Sequence, residues 1–149
     1  MLPPFEGASF EGWIDGVDPQ RTPGGAALTP GGYHTFEHRW ALAEAFRFHL
    51  DIGKAAVHER TTTQATQLKE ALGEIAAVRV VTPMDPALSS GIVCVETPDD
   101  PDALLAPLRD RGFAASVTPY RTRYLRLGPS IATTPDEVDG LAAALNDLV

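Results

Sequence analysis

The first clear periodicity of apolar and polar positions along the chain is helical and begins near residue 36. Thr35 can cap this helix, and the apolar positions continue through 36–50 until Gly53 interrupts them. A second helical pattern covers 54–75, although the threonines at 61–63 are poor helix formers in its centre. The pattern therefore predicts two consecutive helices, the second of which depends on tertiary packing.

Two later helices are marked by residues that start and stop helices. Asp100 and Pro101 supply a cap and a first-turn proline, and Gly112 ends the segment. A kink is expected at Pro107 because proline has no amide donor. The last helix starts at 134–137 with Thr-Pro-Asp-Glu, a capping box with proline at the first helical position. Its buried stripe is predicted to contain Val138, Leu141, Ala142, Leu145 and Leu148.

Four short β-rich runs alternate with these helices. They cover 78–81, 92–95, 113–117 and 124–127, and proline or glycine marks several of the segments around them. From residue 54 onward the order is helix, two strands, helix, two strands, helix. This order predicts an α+β fold in which helices cover one face of a small, mainly antiparallel four-stranded sheet.

Residues 1–33 differ in character from the rest of the chain. They hold seven of the thirteen glycines and five of the thirteen prolines, so they are expected to be irregular or extended. Their large apolar side chains cannot form a core alone and are predicted to pack on the following helices or on another chain: Phe5, Phe10, Trp13 and Ile14. The sequence thus divides into an arm, 1–33, and a domain, 34–149.

Composition and charge argue against several classes of function. The formal charge of −8 disfavours a nucleic-acid-binding role, because ten arginines and two lysines are scattered among twenty acids. No apolar run approaches the roughly 20 residues of a membrane span, and the start Met-Leu-Pro-Pro lacks signal-peptide character. We therefore expect a cytoplasmic protein that binds neither nucleic acid nor membrane.

Cysteine and histidine offer few chemical options. Cys94 is the only cysteine, which excludes an intramolecular disulfide, and its position between valines predicts a buried, protonated thiol. His34 and His38 are four residues apart with Glu37 between them, a spacing that invites a zinc interpretation. The order of a His-Glu-x-x-His motif is lacking and no third ligand is evident, so surface or pocket histidines are favoured.

One arginine stands out among the strand residues. Arg126 lies between Leu125 and Leu127, so its side chain is expected to face away from theirs, toward a cleft or partner. A guanidinium fixed on a strand is a two-pronged receptor for a carboxylate. The alternative is that Arg126 pairs with a neighbouring acid.

Three stretches, 31–45, 89–95 and 125–139, together carry a resemblance to a known enzyme family. The first begins Gly-Gly-Tyr-His-Thr, the second reads Ser-Ser-Gly-Ile-Val-Cys-Val, and the third contains Leu-Arg-Leu followed by Thr-Thr-Pro-Asp-Glu-Val-Asp. They are similar to the Gly-Thr motif, a small-domain strand and the Arg-x-Ser…Asn-Thr-x-x-Glu-Ile-Asp segment of class V aminotransferases. The resemblance implies the C-terminal small domain of a pyridoxal-phosphate enzyme of fold type I.

The resemblance assigns roles in substrate binding. It implies that Arg126 holds the α-carboxylate of an amino-acid substrate. Arg121 and Arg123 flank the same site in sequence, and they either help to bind a side-chain acid or are solvated loop arginines.

The resemblance also implies a cofactor-binding segment. Tyr33 lines up with a threonine that reaches the cofactor phosphate of the other subunit across a dimer interface. Because tyrosine is longer than threonine, Thr35 and the amides of the two preceding glycines are alternative phosphate ligands. The implied cofactor-binding residues are Gly31, Gly32, Tyr33, His34 and Thr35.

The lysine that the resemblance requires for catalysis is missing from its expected context. Lys54 and Lys69 are the only lysines, and both are predicted to be solvated groups on amphipathic helices. In the family the cofactor-binding lysine lies upstream, on the large domain. The resemblance therefore implies no catalytic residue in this chain, which would be inactive alone.

Two hypotheses follow from the missing lysine. In the first, the chain is half of a split enzyme that acts on an amino acid by transamination, epimerisation or elimination. It then binds pyridoxal phosphate only together with a companion chain, in a hetero-oligomer. In the second, it is a non-catalytic domain that binds a partner or regulates one.

The loop at 118–123 bears on the subfamily. Cysteine desulfurases carry a nucleophilic cysteine on the corresponding loop, and no cysteine occurs there in this chain. The resemblance therefore argues against sulfur transfer, and the region 118–130 is most similar to the isopenicillin-N-epimerase-like branch.

Overall fold

The computed structural model describes residues 14–16 and 36–149, without the side chains of Phe36 and Arg39. The arm predicted at 1–33 therefore lies outside the described residues, except for its three residues 14–16.

The chain divides into two compact units. The first contains Met1–Phe48 and Pro119–Thr122, and the second contains His49–Thr118 and Arg123–Val149. The second unit holds the sheet and the helices that cover it.

Helix α1 (Phe36–Ile52) carries large apolar side chains that remain exposed. In the first unit they include Trp40, Phe46 and Phe48, of which Trp40 is 74% accessible and Phe48 is 66% accessible. Apolar side chains of this size are usually buried in the complete, folded assembly of a protein.

A single glycine separates the first two long helices, as the sequence predicts. Helix α2 (Lys54–Gly73) begins directly after Gly53, whose φ of 93° lies in the region that favours glycine. The threonines in the centre of α2 stay helical, and the Thr62 hydroxyl donates a 2.8 Å hydrogen bond to the carbonyl of His58. Leu68 and Leu72 are fully buried in this helix, so tertiary packing supports it.

The four strands form one antiparallel sheet in the order β1-β2-β4-β3. Their bounds are Arg79–Val80 (β1), Val93–Glu96 (β2), Ser116–Val117 (β3) and Leu125–Leu127 (β4). This confirms the predicted α+β fold and sheet. The central strand pair places Cys94 opposite Arg126, and β3 places Ser116 on the other side of Arg126.

The core of the second unit lies between one face of the sheet and the helices. After a 3₁₀ turn at Pro101–Leu104, helix α3 covers Leu105–Asp110 and helix α4 covers Pro135–Asn146. The buried cluster combines strand and helix side chains: Leu68, Leu72, Val93, Val95, Leu104, Leu108, Leu125, Leu127, Val138 and Leu145. The helices therefore cover the leucine and valine face of the sheet and leave the face of Arg126 uncovered by them.

One strand is shorter than the sequence predicts. The run predicted at 113–117 forms only the two-residue strand β3, in which Ser116 pairs with Arg126 and Val117 pairs with Leu125. The helix predicted after Asp100 begins as the 3₁₀ turn Pro101–Leu104 and continues as α3 from Leu105. Pro107 is the third residue of α3, where no amide partner inside that helix is required.

The capping box at the start of α4 is confirmed. The hydroxyl of Thr134 accepts a hydrogen bond from the amide of Glu137, and the Glu137 carboxylate accepts one from the amide of Thr134 at 2.7 Å. We expect Thr134→Ala to lower the free energy of unfolding by about 1 kcal/mol, because one helix-end amide loses its partner. Urea denaturation followed by circular dichroism measures this loss, and an unchanged midpoint would contradict it.

The same capping box predicts a pH dependence of stability. Hydrogen bonds from Thr134 lower the pKa of Glu137 in the folded state. A carboxyl group with a lowered folded pKa stabilises the fold above its unfolded pKa, and this contribution disappears as the pH falls through the folded value. We expect Glu137→Gln to reduce the dependence of the denaturation midpoint on pH between neutral and acidic solution. An identical pH profile in the variant would exclude this contribution.

Candidate carboxylate-binding site

Arg126 occupies the centre of the sheet face that the helices leave uncovered. It lies on β4, between Leu125 and Leu127, which are both buried on the opposite face. The alternation of the strand therefore directs Arg126 away from the core, as the sequence predicts. We call this the open face and define it by its strand residues Arg79, Cys94, Glu96, Ser116 and Arg126.

The guanidinium of Arg126 contacts one neighbouring side chain and has no acidic partner among the described residues. Its Nε donates a 2.9 Å hydrogen bond to Oγ of Ser116 on the adjacent strand. No carboxylate among residues 14–16 and 36–149 forms an ion pair with it. The other arginine of the open face, Arg79, is instead paired with Glu96. In the described part of the chain, the terminal nitrogens of Arg126 therefore remain available for a planar anion.

Cys94 lies directly across from Arg126 on β2. Burial raises the pKa of the Cys94 thiol, and this outweighs the opposing effects of the Arg126 charge and the Thr82 hydroxyl. The thiol is therefore protonated near neutral pH and is a weak nucleophile, in agreement with the interpretation from the sequence. The side chain is only partly buried, which differs from the full burial expected from its valine neighbours.

This arrangement predicts how Cys94 reacts with alkylating reagents. Because the raised pKa leaves little thiolate near neutral pH, iodoacetamide should react more slowly than with a free thiol and accelerate as the pH rises. Arg126→Ala should slow the reaction further, because the positive charge that favours the thiolate is lost. Mass spectrometry of timed samples gives both rates. A rate in Arg126→Ala equal to or above that of the unmodified sequence would contradict the pairing of these residues.

The two other arginines assigned by resemblance have different surroundings. Arg123 forms an ion pair with Asp102, and its Nη1 lies 3.9 Å from Oδ1 of Asp100. These acids sit at the start of the 3₁₀ turn, so the Arg123 guanidinium is engaged within the chain. Arg121 is exposed and belongs to the first compact unit.

The implied cofactor-binding segment is not covered by the structure. Gly31, Gly32, Tyr33, His34 and Thr35 lie outside the described residues. For the zinc interpretation, His38 is described and exposed. The described ranges contain no group of three histidine, cysteine or acidic residues placed to hold a metal ion. They also contain no helix that is long and apolar enough to cross a membrane.

The burial of Lys69 differs from what the sequence predicts. It was expected to be a solvated surface group, but only 1% of it is accessible. Its Nζ donates three hydrogen bonds of 2.9–3.0 Å, to the carbonyls of Pro83 and Met84 and to Oγ of Ser89. One sequence signal could have revealed this burial, because Lys69 is four residues after the buried Ala65 and three before the buried Leu72.

Neither lysine of the chain fits the role of a cofactor-binding amine. All three donors of the Lys69 amine are already used by the loop at 82–91. Lys54 is exposed at the first residue of α2, as expected. The described residues therefore do not supply the amine that pyridoxal phosphate requires.

The fold and the sheet define the class of domain. The second unit has an α+β fold, and the fold of the chain is similar to that of two solved cysteine desulfurases. A solved cysteine desulfurase from Thermococcus onnurineus NA1 superposes with a TM-score of 0.72 at 18% identity, over 99% of this chain and 38% of its own. The cysteine desulfurase CsdA from Escherichia coli gives a TM-score of 0.66 at 18% identity, over 87% of this chain and 34% of its own.

These comparisons concern the fold. No protein-family model matches the sequence. No curated protein matches it either. The chain spans little more than a third of the length of either solved neighbour.

Proposed function

We propose that this chain is the C-terminal component of a split, pyridoxal-phosphate-dependent enzyme of the class V aminotransferase type. The α+β fold and its similarity to solved cysteine desulfurases support the proposal. A companion chain carries the large domain and its lysine. The complex acts in the cytoplasm on an amino acid, by transamination, epimerisation or elimination.

The observation that carries the proposal is the position of the Arg126 guanidinium, which lies on the open face without an ion-pair partner among the described residues. The Arg126 guanidinium lies on an uncovered sheet face and donates a hydrogen bond to Ser116. It forms no ion pair with an acid among the described residues, so it is suited to binding a carboxylate. In the complex, Arg126 binds the α-carboxylate of the substrate and fixes the orientation of the α-carbon. Correct orientation of this kind is a large part of what an enzyme contributes to rate.

The remaining assigned residues complete the site from this chain. We assign the segment Gly31, Gly32, Tyr33, His34 and Thr35 to the cofactor phosphate, on the resemblance alone. Arg121 either binds a side-chain acid of the substrate or is a solvated loop arginine, whereas Arg123 already has Asp102 as its partner. The companion supplies the lysine and the acid that pairs with the cofactor ring, and this chain contributes no catalytic residue.

The apolar surface of α1 supports assembly with a second chain. Trp40, Phe46 and Phe48 expose ring surface that would be unfavourable in water. Covering these side chains by a companion would stabilise the complex by removing that surface from solvent. We therefore propose a hetero-oligomer.

A second candidate function is a non-catalytic domain that binds or regulates a partner. The occupied amine of Lys69 and the exposed helical position of Lys54 favour it, because a chain without a suitable lysine has no cofactor chemistry alone. In that case Arg126 binds a carboxylate that is not turned over.

Co-expression separates the two functions. An adjacent reading frame that encodes a lysine-bearing large domain is the expected companion, and both chains are produced together and separately. The split enzyme predicts that the two chains co-purify, that visible cofactor absorbance requires both, and that an amino acid changes this absorbance. Full cofactor binding and turnover by the companion alone would instead support the regulatory function.

A further inference from the structure

Arg126 lies between two small residues on the open face. Antiparallel pairing places Cys94 of β2 on one side of it and Ser116 of β3 on the other. The backbone of Cys94 is turned toward β1, because its carbonyl accepts hydrogen bonds from the amides of Val81 and Thr82. Cys94 and Arg126 therefore form a non-hydrogen-bonded pair, in which opposite side chains lie close together. Neither flanking side chain is long enough to cover the guanidinium, and Arg126 is exposed.

Ser116 contacts the guanidinium at one defined atom. Its Oγ accepts a 2.9 Å hydrogen bond from Nε of Arg126. The Nε atom of an arginine carries a single N–H, so this bond uses the whole donor capacity of that atom. Arg126 forms no ion pair among the described residues. In that part of the chain, the N–H groups of Nη1 and Nη2 therefore remain available to a ligand.

A guanidinium offers two edges on which a carboxylate can form a pair of parallel hydrogen bonds. The side-on edge presents Nε–H and one Nη–H, whereas the end-on edge presents one N–H from each Nη atom. The Ser116 oxygen occupies the side-on edge, because it accepts from Nε–H. Within the described part of the chain, the end-on edge keeps both of its donors. This edge is at the tip of the side chain, farthest from the backbone of β4.

We propose that Ser116 is a positioning residue that makes Arg126 an end-on receptor for a planar carboxylate. The proposal rests on the carboxylate role of Arg126 in the proposed function and adds how that carboxylate is bound. By accepting from Nε, Ser116 limits rotation of the guanidinium and closes its side-on edge. The carboxylate then lies beyond the tip of Arg126, in the plane of the guanidinium, and the rest of the ligand extends away from the sheet.

Nuclear magnetic resonance of the full ¹⁵N-labelled chain tests the contact between the two residues. The Arg126 Nε–H signal is assigned by its loss in Arg126→Lys, and its exchange with water is measured at mildly acidic pH. Ser116→Ala should accelerate this exchange about fivefold, because one hydrogen bond of ordinary strength is lost. Ser116→Thr keeps a hydroxyl on the same carbon, so the exchange rate should stay within about twofold of that of the unmodified sequence.

Sodium acetate is the carboxylate probe for the end-on geometry, and sodium chloride at equal ionic strength is the anion control. In the unmodified sequence, acetate should shift the Nη resonances of Arg126 and leave the Nε–H resonance nearly unchanged. In Ser116→Ala the side-on edge is open, so acetate should shift Nε–H as well. The matched control is Ser90→Ala, which replaces an exposed serine outside the sheet and should behave as the unmodified sequence. Thermal unfolding by circular dichroism establishes that each variant is folded.

The outcomes separate this proposal from the proposed function. A large acetate-dependent shift of Nε–H in the unmodified sequence would overturn the positioning role of Ser116 and leave Arg126 as a carboxylate receptor. That measurement needs no variant, so it decides the question even if Ser116→Ala does not fold. Exchange of Nε–H that Ser116→Ala leaves unchanged would have the same consequence. Nη shifts no larger with acetate than with chloride would overturn the carboxylate role and the positioning role together.

Discussion

Replacing Lys69 by methionine is expected to lower the free energy of unfolding by about 2 kcal/mol. Methionine retains the apolar stem but leaves the carbonyls of Pro83 and Met84 and the hydroxyl of Ser89 without their donor. Removing a buried amine also relieves its desolvation, which offsets part of the loss. The lost hydrogen bonds outweigh this relief, because three acceptors are affected at once.

Chemical denaturation and thermal unfolding measure this effect. A loss of about 2 kcal/mol corresponds to a fall in the melting temperature of about 8 °C for a unit of roughly 100 residues. Lys54→Met is the matched control, because Lys54 lies on the same helix and is exposed, and its replacement should change stability by less than about 0.5 kcal/mol. Equal stability of the two variants would show that Lys69 does not hold the loop.

Replacing Arg126 by alanine is expected to raise the substrate KM of the reconstituted enzyme by about 10- to 100-fold. Hydrogen bonds to charged groups are worth about 1.5–3 kcal/mol, and loss of the receptor removes them from the bound substrate. Arg126→Lys should recover only part of the affinity, because an ammonium cannot form the two parallel bonds of a guanidinium. Steady-state kinetics with the amino-acid substrate give the comparison.

The other arginine of the open face provides the control. Arg79→Ala removes an exposed cation that is paired with Glu96, and its KM should stay within about twofold of the unmodified enzyme. Complexes must form equally well in all variants, which size-exclusion chromatography establishes. An unchanged KM in Arg126→Ala would refute the carboxylate role.

Local sequence signals predicted much of the fold because they act over a few residues. The capping box at Thr134, the helix stop at Gly112 and the break at Gly53 each follow from backbone preferences of single residues, and the structure has all three. Alternation around Arg126 likewise predicted which side of β4 it would occupy. These features need no knowledge of distant parts of the chain.

The burial of Lys69 and the presence of a cavity in the second unit could not be predicted from sequence position alone. A lysine on a helix is usually solvated, and its burial here depends on a loop 14–20 residues later that folds back over α2. The cavity, about 390 Å³ in volume and lined by Leu68, Phe113 and Val138 among others, depends on the end of β4 meeting α2, α4 and the segment before β3. Both are products of long-range packing.

The sequence by itself determined the order of helices and strands, the start of the last helix at its capping box, and the direction of Arg126 away from the core. These properties arise from local backbone preferences and from the two-residue repeat of a strand. Only the tertiary structure decided that Ser116 steadies Arg126, that Cys94 faces it, and that Lys69 is buried. Those outcomes depend on strand register and on which groups pack together, and residues far apart in the chain set both.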